Sequence, residues 1–152
     1  MTRKPPAPLR RNLPLLLLQA REAVIARFRP ILNAHGLTEQ QWRVVRALLA
    51  HETLEPREIV EVCCISSPSL AGVLARMEET GLVRRQRVDR DQRRVQVALT
   101  AKSRALAARM APQVEAAYAA MEAQLGSMAL DEFYATLDRM LAALSPAACD
   151  GG

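Results

Sequence analysis

Residues 56–100 read PREIVEVCCISSPSLAGVLARMEETGLVRRQRVDRDQRRVQVALT, and the rest of the fold can be argued outward from them. A short helix is predicted from Pro56 to about Val62, because proline suits the first turn of a helix. A second helix begins after a cap at Ser66 or Ser67. The residues predicted to face the core from this pair are Ile59, Val62, Leu70, Val73, Leu74 and Met77. Two helices joined by a tight turn indicate a helix-turn-helix.

The spacing of apolar residues changes after the second helix. Gly81 ends that helix, and Leu82–Val83 begins a strand. From Val95 to Leu99 apolar and more polar positions alternate, which is typical of a half-buried strand. Residues 84–94 hold six arginines and two aspartates, so they form a hairpin with a charged tip. The predicted fold class is mainly α with a small β-hairpin wing, a winged helix-turn-helix.

Two further helices are predicted on the N-terminal side of this lobe. The first runs from about Leu13 to Asn33, and Pro30 is expected to kink or break its end. The second starts at a capping box formed by Thr38 and Gln41. Its predicted buried stripe is Trp42, Val45, Leu48 and Leu49.

Two more helices are predicted on the C-terminal side. Thr100 caps a long alanine-rich helix that reaches about Leu125, with a kink expected at Pro112. A last helix follows from about Leu130 to Leu144. These outer helices are strongly apolar although the compact lobe does not need all of them, which favours a homodimer over an intramolecular bundle.

The chain therefore divides into a mobile basic and proline-rich arm, a lobe and its flanking helices. We predict that residues 1–12 form the arm and that residues 37–100 form the winged helix-turn-helix lobe. Residues 13–36 and 101–145 supply the dimerisation helices, and residues 146–152 form a frayed tail.

Charge is distributed unevenly along the 152 residues. The chain carries 21 Lys and Arg against 16 Asp and Glu, a net charge of +5. Residues 1–100 hold a net charge of +7 and residues 101–152 a net charge of −2. A basic half beside a mildly acidic half indicates that only part of the chain faces a polyanion.

Several other classes of protein are not indicated. Three cysteines, Cys63, Cys64 and Cys149, do not make a disulfide framework, so a reducing cytoplasm is expected. We identify no signal peptide, no membrane span and no metal-ligand set. A catalytic nucleophile–base pair and a cofactor loop are also missing from the sequence, so we expect neither an enzyme nor a bound cofactor.

The lobe contains the residue types that DNA recognition uses. The second helix of such a pair enters the major groove with its N-terminal residues, and a wing arginine can enter the minor groove. Arg90 is the candidate for the minor groove. The predicted DNA contacts are Ser66, Ser67, Ser69, Leu70, Arg76, Arg84, Arg85, Arg87, Arg90, Arg93 and Arg94. The alternatives left open are that Ser67 only caps the helix and that Arg76 is a solvated surface charge.

Several segments resemble those of a known family. They are Met77–Val83, Asp89–Arg94 and Val95–Thr100, which are similar to the signature of MarR-type transcriptional regulators. Leu18–Ala23, Phe28–Ile31 and Leu37–Arg46 resemble the branch that regulates homoprotocatechuate and related aromatic-acid degradation. The resemblance covers about residues 13–144. It implies a homodimer whose outer helices interlock, and small anionic aromatics that bind between dimer core and DNA-binding lobes and release the DNA.

Four residues could hold such an effector. Arg21 lies in an otherwise apolar helix, and His35, Trp42 and Arg46 cluster around the start of the next. Trp42 and Arg46 are four residues apart and share a helical face. Arginine can grip a carboxylate in a bidentate fashion, and the indole can pack on an aromatic ring. The alternatives are a core tryptophan, a surface arginine and a loop histidine.

The sequence thus predicts a cytoplasmic, homodimeric DNA-binding regulator, a repressor of an aromatic-acid catabolic or related operon. Its partners are a pseudo-palindromic DNA duplex and a small aromatic carboxylate such as a hydroxyphenylacetate or hydroxynicotinate. One alternative is an architectural DNA-binding protein that has no ligand. Another is a repressor that senses oxidants through a thiol, although no cysteine lies near the first helix.

Overall fold

The computed structural model describes residues 9–88 and 93–145. In those ranges the chain forms six helices and three short strands. They are α1 (Leu13–Ala34), α2 (Glu39–His51), β1 (Thr53–Leu54), α3 (Pro56–Cys63), α4 (Ser67–Glu79), β2 (Val83–Arg87), β3 (Val95–Leu99), α5 (Ala101–Leu125) and α6 (Ser127–Leu144). This order confirms the predicted fold class, a mainly helical protein with a small β wing.

The chain separates into two compact units, Met1–Met110 and Ala111–Gly152. The first unit holds α1 to α4, the sheet and the first ten residues of α5. The second holds the rest of α5 and all of α6. The finer division into a DNA-binding lobe and dimerisation helices stays a prediction.

The core of the first unit lies among α2, α3, α4 and β3. Its most enclosed side chains, each less than 2% exposed, include Val44, Leu48, Ile59, Leu74 and Met77. Full burial of one such side chain contributes about 1.5–3 kcal/mol relative to its exposure. The helix-turn-helix is therefore held mainly by apolar packing.

Of the residues predicted to be buried in these helices, Trp42 and Val73 are half-buried, and two others are exposed. Val62 is 52% exposed, because the eight-residue α3 buries Ile59 and Cys63, one turn apart, and Val62 falls beside that stripe. Leu49 is 41% exposed, because the buried face of α2 is centred on Val44, Val45 and Leu48 instead.

Two of the predicted helix caps are formed by side-chain hydrogen bonds, those of α2 and α5. Gln41 N donates to Thr38 Oγ1, and Thr38 N donates to Gln41 Oε1, each over 3.1 Å, which confirms the capping box of α2. Thr100 caps α5, since its hydroxyl accepts a 3.3 Å hydrogen bond from Ser103 N. Ser66 is the N-cap of α4 by position, although its side chain caps no backbone N–H.

At Pro30 the structure excludes a break, whereas the kinks expected at Pro30 and Pro112 stay predictions. Helix α1 continues past Pro30 to Ala34, so no break occurs there. Phe28 and Leu32 on either side of the proline are buried, and this packing holds the last turn together although one backbone hydrogen bond is lost. Helix α5 likewise continues through Pro112.

The sheet contains a strand that the sequence did not reveal. The strand order is β1-β3-β2, with both pairs antiparallel. Because β1 has only two residues, no periodicity could mark it. Its pairing makes β3 the central strand, and Ala98, predicted on the polar side of the alternation, is buried.

Helix α6 also starts earlier than predicted. It begins at Ser127, directly after Gly126, whose φ of +87° ends α5 in a conformation that favours glycine. None of its residues is fully buried within this chain.

Candidate nucleic-acid interface and effector cavity

The helix-turn-helix is formed by α3 and α4, which are bent by 110° at the turn between them. This angle lies within the range of about 90–120° for DNA-binding helix pairs. The sequence did not reveal that Arg43 of α2 holds the turn. Its Nη1 donates to the carbonyl oxygens of Cys63, over 2.7 Å, and Cys64, over 3.2 Å.

The start of α4 presents small hydroxyl side chains. Ser66, Ser67 and Ser69 are exposed, and the Ser66 hydroxyl donates to Ser69 Oγ over 3.0 Å. Leu70 is only 2% exposed, so we remove it from the predicted DNA contacts because its side chain belongs to the core. Arg76 is exposed but lies in the last turn of α4, away from the serines.

The described arginines of the wing lie on β2 and directly before β3. Arg84, Arg85 and Arg87 of β2 are exposed, as are Arg93 and Arg94 at the start of the returning strand. Arg85 Nε lies 3.1 Å from Glu78 Oε2, which ties β2 to the end of α4. Arg90, the predicted minor-groove residue, lies outside the described residues.

A basic groove of about 510 Å³ opens between the start of α3 and the wing. It is lined by Arg57, Arg85, Arg93 and Arg94 and by one carboxylate, Glu55. Arg57 was not among the predicted DNA contacts, because it lies on the first helix of the pair rather than on the wing. The groove is therefore strongly cationic, which suits a phosphate backbone.

Glu55 joins the two sides of this groove through ion pairs with Arg57 and Arg94. Its Oε1 lies 2.7 Å from both Nε and Nη2 of Arg94, and its Oε2 lies 3.1 Å from Arg57 Nε. The Arg94 guanidinium holds the pKa of the Glu55 carboxyl below its usual value. Glu55 N also donates to Glu58 Oε2 over 2.6 Å at the start of α3. The wing is thus joined to the helix-turn-helix across 39 residues of sequence.

The four predicted effector residues are only partly brought together. Trp42 is half-buried and Arg46 is exposed, one turn further along α2. Arg21 Nη2 lies 3.0 Å from Glu39 Oε2, and Arg29 Nε lies 2.7 Å from Glu39 Oε1. These guanidinium groups, Arg21 first, lower the pKa of the Glu39 carboxyl.

A cavity of about 310 Å³ lies elsewhere in the first unit, beside the α1–α2 connection, the end of α4 and the start of α5. Of the four predicted effector residues, only His35 lines it. Its other polar lining residues are Gln41, Arg76, Thr80, Lys102 and Arg109. No sequence pattern could have collected these residues, since they come from separate elements and no periodicity links them.

Among the described residues we find no candidate metal site and no single helix that could span a membrane. Within residues 9–88 and 93–145, no three or more His, Cys, Asp or Glu side chains are grouped so that they could hold a metal ion. In the same ranges no single helix is long and apolar enough to cross a bilayer. Helices α3 and α4 would pass that test only when counted together, across their 110° bend.

The two described cysteines differ in environment. Cys63 is buried and Cys64 is exposed, and neither forms a disulfide. Burial raises the pKa of the Cys63 thiol, so less of it is the reactive thiolate. This is the environment of a cysteine that packs as a small apolar residue.

Comparison with known proteins identifies the family. Residues 35–94 match the MarR family. The homoprotocatechuate degradative operon repressor of Escherichia coli is 41% identical over 131 residues, which cover 86% of this chain and 88% of that repressor. The chain belongs to the MarR family. It is a MarR-type transcriptional repressor, and no enzymatic family is indicated.

Solved structures of other MarR-type regulators share the fold. NadR, determined in complex with 4-hydroxyphenylacetate, is 38% identical with a TM-score of 0.78, over 95% of this chain and 100% of that one. The repressor CouR, bound to a 23-mer DNA duplex, is 27% identical with a TM-score of 0.77, over 85% of this MarR-family chain and 92% of CouR.

Proposed function

We propose that this MarR-type repressor binds a pseudo-palindromic operator as a homodimer, with α4 in the major groove and the wing in the minor groove. The observation that carries the proposal is the 110° helix pair, whose exposed serines begin α4 while an arginine-lined groove opens beside α3. The proposed contacts are Ser66, Ser67, Ser69, Arg57, Arg76, Arg84, Arg85, Arg87, Arg90, Arg93 and Arg94. A repressor that works on DNA in this way acts in the cytoplasm.

Exposed apolar side chains support the homodimer. On α1, Leu13, Leu15 and Leu18 are between 47% and 58% exposed within one chain. On α6, Leu141 and Leu144 are 63% and 71% exposed. Large apolar side chains that collect on a protein surface usually mark protein–protein contacts. We therefore assign residues 13–36 and 101–145 to dimerisation and residues 37–100 to DNA binding.

The DNA-binding proposal is tested by footprinting and by salt dependence. Because each protomer contributes one recognition helix, we expect two protected half-sites about one turn of the DNA helix apart. Operator affinity should fall steeply between low and physiological salt, because several arginines displace counterions from phosphates. Protection of a single half-site, or an affinity that does not change with salt, contradicts the proposal.

The finer proposal is that a small aromatic carboxylate releases this protein from an aromatic-acid catabolic operon. It is supported by the NadR complex with 4-hydroxyphenylacetate and by the operon that the E. coli relative represses. On this chain we propose that the effector is bound by Arg21, His35, Trp42 and Arg46. The indole of Trp42 packs against the aromatic ring of the effector. Because Arg21 already pairs with Glu39, we expect Arg46, which is exposed, to contribute more to carboxylate binding.

A titration of aromatic acids tests the effector proposal. The panel contains 4-hydroxyphenylacetate and 6-hydroxynicotinate, with 4-hydroxyphenylacetamide as the uncharged match for the first. The acids should change the fluorescence of Trp42, which is the only tryptophan, and weaken operator binding by roughly five- to 150-fold. Arg46→Gln should keep DNA binding and lose the response. If no acid changes either signal, the protein is an architectural DNA binder instead.

A further inference from the structure

The centre of the exposed face of α4, the proposed recognition helix, is a glycine. The buried side of this helix is formed by Leu70, Leu74 and Met77. Because an α-helix has about 3.6 residues per turn, Gly72 lies almost directly opposite that side, and it is exposed. The part of α4 that points farthest from the core therefore has no side chain.

Nothing within this chain requires glycine at that position. Gly36, Gly81 and Gly126 have positive φ angles, which favour glycine, whereas Gly72 lies inside α4 and is not among the glycines with positive φ. A Cβ atom added to Gly72 would meet no other atom of the described residues within 4 Å, the neighbouring backbone of α4 aside. A glycine inside a helix lowers the folding equilibrium constant about four- to fivefold relative to alanine. Neither the backbone nor the packing of this chain explains that loss.

The serine one turn before Gly72 explains what a missing side chain permits. The hydroxyl group of serine is bonded directly to Cβ, so Ser69 can reach a base edge only if the backbone of α4 comes close to that edge. Ser66 Oγ donates to Ser69 Oγ over 3.0 Å, which leaves the proton of Ser69 for an acceptor such as N7 or O6 of guanine. The major groove is about 12 Å wide and a helix with its side chains is about 10–12 Å across, so the space for further atoms is small.

Two arginines lie beside α4 rather than at the centre of its exposed face. A hollow of about 230 Å³ along one side of α4 is lined by Ser67 and Ala71 together with Arg57 of α3 and Arg85 of β2. Guanidinium groups at this place suit phosphates, which contribute affinity but carry no sequence information. The surface that suits phosphates is therefore separate from the surface around Gly72.

We propose that Gly72 sets the depth of α4 in the major groove and thereby the sequence specificity of the repressor. The inference rests on the proposed function, since it takes α4 as the helix that enters the groove. With no side chain at its innermost point, the helix approaches closely enough for Ser69 to contact a base edge. A methyl group at Gly72 holds the helix away from the bases, while Arg57 and the wing still bind phosphates. Gly72 is a positioning residue, because it acts through Ser69.

The test compares Gly72→Ala with the wild type on two duplexes. The first is the duplex that the wild-type protein selects from a random pool, and the second contains the same base pairs in scrambled order. Alanine should raise the Tm of the free protein by about 2–4 °C, because it favours the helix. It should raise the Kd for the selected duplex at least about fivefold, the lower end of the cost of one misread base pair, and leave the Kd for the scrambled duplex unchanged. A merely structural role would not make the protein more stable and less specific at once.

Three further variants separate depth from helix stability. Gly72→Ala combined with Ala75→Gly moves one methyl group along the exposed part of α4, so its Tm should stay near the wild-type value while the loss of affinity persists. Gly72→Leu should weaken binding to the selected duplex further than Gly72→Ala, because the larger side chain keeps the helix farther from the bases. Ser69→Ala added to Gly72→Ala should cost no further affinity, since Ser69 has already lost its contact.

Several outcomes overturn the inference. They are unchanged affinity of Gly72→Ala for the selected duplex, an equal loss of affinity for both duplexes, and recovery of affinity when Ala75→Gly is added. If Gly72→Ala and the wild type protect the same two half-sites with equal affinity, the inference fails and the proposed function stands. If one half-site is protected but Gly72→Ala still weakens binding to the selected duplex alone, binding as a dimer fails and the inference stands. If the wild type does not distinguish the two duplexes, both are overturned.

Discussion

Replacement of Arg43 by methionine tests whether the turn before the recognition helix is held from outside the helix pair. In the wild type, Arg43 Nη1 donates to Cys63 O and Cys64 O over 2.7 and 3.2 Å. Methionine keeps most of the apolar stem and removes both hydrogen bonds. The perturbation is therefore confined to the tether between α2 and the turn.

The size of the effect follows from two opposing contributions. A hydrogen bond from a charged donor contributes about 1.5–3 kcal/mol, and the longer of the two bonds is at an exposed carbonyl that water can reach. Arg43 Nε is buried without a partner among the described residues, and this costs about 1–3 kcal/mol in the wild type. Since methionine removes that cost as well, we expect a net loss of about 1–2 kcal/mol of unfolding free energy.

The assay is thermal unfolding at fixed protein concentration, paired with operator titration. A loss of 1–2 kcal/mol corresponds to a fall in Tm of about 2–8 °C for a chain of this size. If DNA requires the turn to be ordered, operator Kd rises by at most about 5–30-fold. Arg104→Met removes the same charge from an exposed position and is the control. The reasoning is refuted if both variants unfold at the same temperature.

Three further predictions concern the same lobe. Cys64 has a left-handed φ of 50° at the end of α3, so Cys64→Gly should stabilise the fold by about 0.5–1 kcal/mol in denaturant titration; a loss of stability contradicts this. In native protein, iodoacetamide should label Cys64 well before Cys63, since Cys63 is buried and burial raises the pKa of its thiol. Labelling is measured by mass spectrometry, and equal rates at the two cysteines would show that Cys63 is accessible. Glu55→Gln should weaken operator binding and change the pH dependence of stability. Because the pKa of Glu55 is lowered, its stabilisation is complete above the ordinary value of 4.5 and disappears as pH falls below it. The difference in unfolding free energy between variant and wild type should therefore shrink in acid, and a constant difference refutes the argument.

The elements of this fold could be predicted from the sequence because their signals are local. The capping box of Thr38 and Gln41, the serine start of α4 and the alternation of β3 each lie within a few residues. The misplaced residues show where local patterns end. Val62 and Leu49 each lie at the edge of the apolar stripe of their helix. Whether such a residue is buried depends on which side chains of the other elements pack against that helix. The two-residue β1 exists only through its pairing with Ala98 and Val97.

The types of residue in the candidate site could be predicted from the sequence, but the residues that lie beside them or pair with them could not. The wing arginines were evident from their density in residues 84–94. Arg57 was missed because its place beside the wing depends on tertiary packing. The cavity beside the α1–α2 connection was missed for the same reason, since two of its lining residues, Arg76 and Arg109, are 33 positions apart in the sequence. Among the predicted effector residues, Arg21 has a partner in Glu39 that no sequence spacing indicated.

The ion pairs that hold the wing also limit the positive charge of the proposed DNA-binding surface. Glu55 faces Arg57 and Arg94, and Glu78 faces Arg85, so three arginines near the proposed interface already have carboxylate partners. A phosphate that binds one of them must compete with a glutamate that also fixes the wing in place. This competition lowers the affinity for DNA. In return, the orientation of the wing is fixed before DNA binds, which reduces the entropy lost on binding. Arg84 has no such carboxylate partner among the described residues, so its loss should lower operator affinity while Glu55 and Glu78 still hold the wing.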